Sequence, residues 1–233
     1  MSAADGEDVF ESLSRLVIAT KNPGKLREFR AGLEGLAGFE ILDLTAFPRA
    51  PDVDETGSTY AENARLKARS ALAHTGLPSL GDDSGLEVDA LDGAPGLRSA
   101  RYAGPVADPA ARIEKLLEAL EDVPDGKRTA RFRCVLAFVE PEPLGSGETG
   151  LVTAPDDPMA PLDTPIPVRF TFIEGTLEGR IAREPRGEKG FGYDPVFVLE
   201  DGRTLAELDL AEKNRVSHRG IALARLREIL AAR

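Results

Sequence analysis

Four short stretches of this chain carry residue types that can do chemistry together. The first is Thr20-Lys21-Asn22-Pro23-Gly24-Lys25, which begins on the last residue of the apolar run RLVIAT. Asn22 suits a helix N-cap and Pro23 a first helical position, so the segment reads as a strand-to-helix turn. A helix start offers unpaired N–H groups and partial positive charge. An anion can sit there, and Lys25 adds a full charge. The segment is not a Walker A loop, because that motif's first glycine is missing and Leu26 follows Lys25. An ordinary turn with a surface lysine is the other reading.

The second stretch is Asp82-Asp83-Ser84-Gly85. Paired acids at a strand end suit Mg²⁺, which takes one or two carboxylates plus phosphate oxygens. Neighbouring strand residues face opposite sides, so only one of the two acids can point into a cleft if the strand persists. Glu55, in the loop Asp54–Gly57, can complete such a site from across the cleft. In the third stretch, GEKGFGYD over 187–194, Phe191 stands between two glycines. It suits stacking on a planar ligand, and burial against a strand suits it equally. Last, Lys213, His218 and Arg219 lie near the start of the final helix, where the macrodipole disfavours cations. A local rule broken without visible compensation points to a site, unless these side chains are simply exposed.

The elements that must position these groups follow from periodicity. A buried strand is expected over 15–20, and a helix follows with Leu26, Phe29, Leu33 and Leu36 on one face, ending near Gly38. FEILD is a second strand. Thr59 and Glu62 have capping-box spacing for a helix over about 59–75, closed by Gly76 and Pro78. SLGDDSGLEVD reads as strand, turn and strand, with Gly85 at the turn. Residues 92–107 read as an ordered loop, and Asp108-Pro109 opens another helix. Arg128–Glu140 and Val168–Glu174 are strands, as is Pro195–Leu199, and Ser217 caps a C-terminal helix. This mixture implies an α/β fold with a mixed, strongly twisted sheet and flanking helices.

The 233 residues fit one large domain or two closely packed lobes. Forty acidic against 29 basic residues, net −11, argue against non-specific nucleic-acid binding. A small anionic substrate would need local positive charge and a divalent cation. No apolar run reaches membrane-spanning length. The acidic N-terminus is not a secretory signal, and 1–14 is expected to be a flexible extension. Cys134 is the only cysteine. It reads as a buried strand residue, and a cytoplasmic location follows by default. Seven prolines over 141–167 mark an insertion.

Taken in order, the segments ATKNPGK, DETGSTYAENARLKA, DDSGLEVDALDGAPGLRSARYAG, ARFRCVLAF, EGRIAREPRGEKGFGYDPVF and AELDLAEKNRVSHRG resemble the non-canonical purine nucleoside triphosphate pyrophosphatases. This is the inosine/xanthosine triphosphate pyrophosphatase family. The resemblance implies a homodimeric enzyme with its substrate in a cleft between two lobes. It also implies Mg²⁺-dependent hydrolysis of dITP, ITP and XTP to the monophosphate and pyrophosphate. Carried over by residue, Thr20, Lys21, Asn22, Pro23, Gly24 and Lys25 hold the phosphates. Asp83 accepts a proton and ligates metal, with Glu55 as a second ligand. Ser84 touches substrate, Phe191, Gly192, Tyr193 and Asp194 hold the nucleoside, and Lys213, His218 and Arg219 read the base edge. Two departures stand out: Lys21, where many members have glycine, and the length of 141–167.

Overall fold

The computed structural model describes residues 14–36, 38–106, 108–142, 150–152 and 166–232. Residues 1–13 and most of 141–167, expected as extension and insertion, lie outside the described residues.

Among the described residues, seven strands form one mixed, curled sheet in the order β2-β1-β3-β4-β6-β5, with β7 also on β6. They are β1 Ser14–Ile18, β2 Phe39–Asp43, β3 Ser79–Val88, β4 Thr129–Pro141, β5 Gly150–Val152, β6 Ile166–Ile181 and β7 Phe197–Val198. β1 runs parallel to β2 and β3, and every other pairing is antiparallel. The helices are α1 Pro23–Leu33, α2 Tyr60–Thr75, α3 Pro109–Ala119, α4 Leu210–Val216 and α5 His218–Ala231. Among the described residues no helix is long and apolar enough to cross a membrane.

Two cores flank the cleft. Phe29 and Leu33 of α1 and Leu223, Leu226 and Leu230 of α5 pack on Leu16, Ile18, Leu80, Leu136 and Phe138 of the sheet. Ile113, Leu116 and Leu120 of α3 pack on the far ends of the long strands, with Leu86, Val88, Ala130, Phe132, Ile181 and Phe197. α2 covers the opposite sheet face, burying Ala64, Ala68 and Leu72 against Ala137 and Val139. β3, β4 and β6 cross from one lobe to the other, and Asp83–Gly85 of β3 and Phe132 of β4 line the cleft.

Several expectations are met closely. Asn22, Thr59, Asp108 and Ser217 are side-chain N-caps, and Gly76 closes α2 in the left-handed conformation. The expected turn at Gly85 does not exist, since Ser79–Val88 is one continuous strand. A Cβ on Gly85 would lie 2.4 Å from the Gly96 carbonyl oxygen and 2.6 Å from the Tyr60 hydroxyl. The glycine admits a close approach by the 96–101 segment and does not reverse the chain. The strand expected over 195–199 shrinks to Phe197–Val198, because Asp194–Val196 forms a 3₁₀ turn. The first helix stops at Leu33, short of Gly38. α4 is additional, started by a reciprocal capping box between Asp209 and Glu212, and it carries Lys213 one helix earlier than expected.

Candidate active site

A cleft of about 340 Å³ opens between the lobes. Of the expected site residues, Asn22, Pro23, Gly24, Lys25, Glu55, Asp83, Ser84, Phe191, Gly192, Tyr193, Asp194, Lys213, His218 and Arg219 line it. Thr20 and Lys21 line an adjoining cavity of about 240 Å³, which shares Asn22, Lys25 and Glu55 with the first. Each residue expected to bind substrate or metal therefore lines one of two adjoining cavities, while Asp82 lines neither.

β3 sends its two acids to opposite sides, as strand geometry requires. Asp83 faces α2, accepting from Asn63 Nδ2 at 3.1 Å and Lys67 Nζ at 2.9 Å. Lys67 also lies 2.6 Å from Glu55 Oε1, so one ammonium bridges the two carboxylates expected to hold metal. The second Glu55 oxygen stands 3.5 Å from Arg101. Burial lifts the Asp83 carboxyl above the ordinary aspartate range, against the pull of Lys67 and Lys25, with Glu55 adding to the rise. A carboxyl so placed has an unusually high affinity for a proton.

Asp82 faces the other way and is fully enclosed. It pairs with Lys25 and with Arg219 at 3.3 Å, and Cys134 Sγ donates to it at 3.1 Å. Burial alone would raise its pKa, but Arg219 and Lys25 outweigh that and hold it far below the ordinary range. Asp82 is thus a structural anion, and Asp83 is the acid that lines the cleft.

The helix start differs from expectation in one respect. Asn22 Oδ1 accepts from Gly24 N at 2.9 Å and Lys25 N at 3.1 Å, while Leu26 N donates to the Asn22 carbonyl. The N–H groups expected to receive an anion are therefore capped already, and Pro23 has none. Positive charge at this end comes from side chains, chiefly Lys25 and Lys67. Lys21 bonds Asp52 Oδ1 at 2.7 Å and the Ala50 carbonyl at 3.2 Å, tying the turn to the neighbouring loop.

At the opposite end the cations are buried, and their compensation is visible. Glu28, one helical turn beyond Lys25, is 2% exposed and pairs with both Lys213, at 2.6 Å, and Arg219. Lys213 also pairs with Asp194, whose Oδ2 accepts from Phe191 N at 2.7 Å and so shapes the aromatic loop. Arg219 Nη2 donates to Ser84 Oγ at 2.8 Å. The Phe191 ring lies 4.7 Å from Lys213 Nζ and 5.9 Å from the Arg219 guanidinium carbon, and it rests against Gly24. His218 stacks on Phe132 at 4.7 Å and 10°. Burial first, then Arg219 and Lys213, push its pKa well below the usual range, so His218 is neutral. The alternative reading, that these side chains are simply exposed, does not hold. Gly175 explains it: a Cβ there would come within 2.0 Å of the His218 carbonyl, so only glycine lets the α5 start press onto the sheet.

Tyr193 is 4% exposed and donates its hydroxyl to the Ser99 carbonyl at 3.0 Å. Its polar end therefore anchors the 96–101 segment. Glu28, Asn63, Lys67, Ser99 and Arg101 were missed from sequence. Helical spacing held a signal for two of them, since Glu28 sits three residues after Lys25 and Lys67 four after Asn63.

Comparison with known proteins gives a consistent outcome. The model of the Ham1 family matches residues 16–154 and 163–229. A dITP/XTP pyrophosphatase of Symbiobacterium thermophilum is 50% identical over 221 residues, covering 95% of this chain and 97% of that protein. One from Geobacillus kaustophilus is 50% identical over 217 residues, covering 93% and 94%. Among solved structures, a HAM1 protein from Coxiella burnetii matches with a TM-score of 0.74 and 44% identity over 95% of this chain and all of that one.

Proposed function

The chain belongs to the Ham1 family, and from that premise we propose that it hydrolyses non-canonical purine nucleoside triphosphates of the dITP/XTP type to the monophosphate and pyrophosphate. It is a nucleoside triphosphate pyrophosphatase, and its substrate is a small nucleotide. The observation that carries this reading is the pair of adjoining cavities. It has an aromatic, cation-lined chamber at one end, a lysine-lined chamber at the other, and Glu55 on the wall of both.

The purine would lie against Phe191, placing its edge at Lys213 and Arg219. An ammonium has three donors, and two of Lys213's meet Glu28 and Asp194. Arg219 likewise uses most of its five on Glu28, Asp82 and Ser84. The remaining donors suit the 6-oxo acceptor of hypoxanthine or xanthine. The 6-amino group of adenine would leave them unpaired, at roughly 1–3 kcal/mol each. Two such losses give roughly a hundredfold preference over ATP.

The α-phosphate would then lie at the junction. Glu55 and Asp83 fit a divalent cation there, since one ammonium already bridges them, and two carboxylates with phosphate oxygens make an adequate Mg²⁺ donor set. Held there, Mg²⁺ would supply neutralisation of phosphate charge. Asp83 would accept the proton of the attacking water, a role its raised pKa favours. Lys25 and Lys67 would balance charge on the departing pyrophosphate. A homodimer in the cytoplasm completes the proposal.

The test is product analysis with ITP and Mg²⁺, expecting IMP and pyrophosphate. Release of inorganic phosphate would mean a different reaction. Preference for UTP or TTP analogues over dITP would overturn the base-reading assignment.

A further inference from the structure

The smaller cavity carries three lysines, Lys21, Lys25 and Lys67, and two acids, Asp52 and Glu55. The three cations are held very differently. Lys25 pairs with Asp82, which is 1% exposed, and Lys67 is held between Asp83 and Glu55. Lys21 pairs with Asp52, whose side chain is 91% exposed, while Lys21 itself is half exposed. An ion pair in such a setting gains little, because water and salt screen it and two mobile side chains must be ordered to form it. Lys21 is thus the cavity lysine whose carboxylate partner is most readily given up.

The backbone beneath it is fixed. Asn22 N donates to Thr20 Oγ1 at 3.2 Å, and the Asn22 side chain caps α1. A change of partner therefore gives up the Asp52 pair and the 3.2 Å bond to the Ala50 carbonyl and otherwise needs only rotation of a four-carbon stem. A terminal phosphate brings several negative charges and acceptor oxygens, and charge-assisted bonds to it are stronger than an exposed pair with one carboxylate.

We infer that Lys21 is a switchable cation, which leaves Asp52 for the terminal phosphate of the substrate and thereby favours a triphosphate over shorter nucleotides. The inference rests on the pyrophosphatase reading, since that reading puts the β and γ phosphates in this cavity. Its geometry is specific. Phe191, Lys213 and Arg219 line the larger chamber, Glu55 lines both, and Lys21 lines the smaller chamber and not the larger. Lys21 should therefore sense the pyrophosphate part of the nucleotide and not the nucleoside monophosphate part.

The experiment uses the two products as separate probes of the two chambers. Inhibition constants for pyrophosphate and for IMP are measured against ITP hydrolysis with the wild type, Lys21→Met and Asp52→Ala. Lys21→Met is expected to raise the pyrophosphate constant roughly tenfold and to leave the IMP constant within twofold. Asp52→Ala is expected to lower the pyrophosphate constant, because it removes the competing anion. Equal pyrophosphate constants in wild type and Lys21→Met overturn the inference. So does an Asp52→Ala variant weakened as much as Lys21→Met, which would mean that the pair only braces the loop. Wild-type release of IMP and pyrophosphate upholds the reaction itself whichever way Lys21 behaves. If the wild type releases inorganic phosphate instead, that reading fails, and calorimetric titration of pyrophosphate into both proteins still decides the role of Lys21.

Discussion

Glu28→Gln tests the buried network most directly, because it removes a charge while nearly preserving shape. Glu28 is 2% exposed and touches both Lys213 and Arg219. Removing one member of a buried ion pair costs about 3–5 kcal/mol, since the partner charge is left without compensation. Here Arg219 keeps Asp82 and Lys213 keeps Asp194, and glutamine still offers one acceptor, so the lower end, about 3 kcal/mol, applies. For a chain of this size that is roughly 6–12 °C in Tm. The sign of the pH dependence follows from the carboxyl. Burial raises its pKa, but Arg219 and Lys213 outweigh burial and hold it below its ordinary value of 4.5. A depressed folded-state pKa means stability present above pH 4.5 and lost as pH falls through the folded-state value. Thermal unfolding at pH 7.5 should show the full gap between wild type and variant, and the gap should close in the range below pH 4.5. The ITP/ATP ratio of kcat/KM should fall with it. Adding Lys213→Met to Glu28→Gln restores the charge balance, so part of the lost Tm should return while selectivity does not. A single variant within 1 °C of wild type, with its ITP/ATP ratio unchanged, would refute this account.

Three further outcomes follow from the same geometry. Asp83→Asn should lower kcat by about 10²–10⁴ while Tm holds or rises, because a neutral side chain suits that buried position; retained turnover would remove Asp83 from proton transfer. His218 has a folded-state pKa well below its ordinary 6.5, so the unfolded chain binds the extra proton as pH falls and stability drops below about pH 6.5. The slope from this one group should be up to about 1.4 kcal/mol per pH unit, and a His218→Asn variant with the same slope between pH 6.5 and 5 would rule it out. Gly85→Ala puts a methyl group 2.4 Å from the Gly96 carbonyl, so Tm should fall by an amount matching about 1–3 kcal/mol of overpacking; an unchanged Tm would mean that the 96–101 segment yields freely.

How much of this was legible in the sequence depended on whether a signal was local. The N-caps Asn22, Thr59, Asp108 and Ser217 were readable because each acts within three residues of itself. Gly85 was misread for the converse reason. A glycine after three polar residues looks like a turn, and only the Gly96 carbonyl and Tyr60 hydroxyl show that a remote segment needs the space. β6 was expected to end at Glu174, since Gly175 and Gly179 interrupt its alternation. Both glycines admit partners from elsewhere, the α5 start and Phe197, while the ladder continues to Ile181. Residue types at the site were legible where motifs were dense. Glu28 and Lys67 were not, because a charged residue on a helix is ordinarily solvated, and only tertiary packing shows these two to be enclosed.

The site's electrostatics also explain why a cationic base pocket can be buried in this fold. Arg219 stands in the first turn of α5, where a helix start disfavours positive charge, Lys213 lies in the last turn of α4, and a purine brings no anion to that end. Glu28, Asp82 and Asp194 balance Lys25, Lys213 and Arg219, three charges against three. Burial, with Arg219 and Lys213 adding to it, disfavours a further cation here and keeps His218 in its neutral form. Balance of this kind fixes most donors and leaves few free, and those few gain a partner only from a base with an acceptor at the matching edge. Glu28 belongs to α1, which also carries Lys25 at the phosphate end, and Asn214 of α4 donates to the Glu28 carbonyl at 3.2 Å. The helix that opens at the phosphate turn thus also holds the base readers. A displacement of one chamber must strain the other, so base selectivity and phosphate alignment rest on the same packed unit.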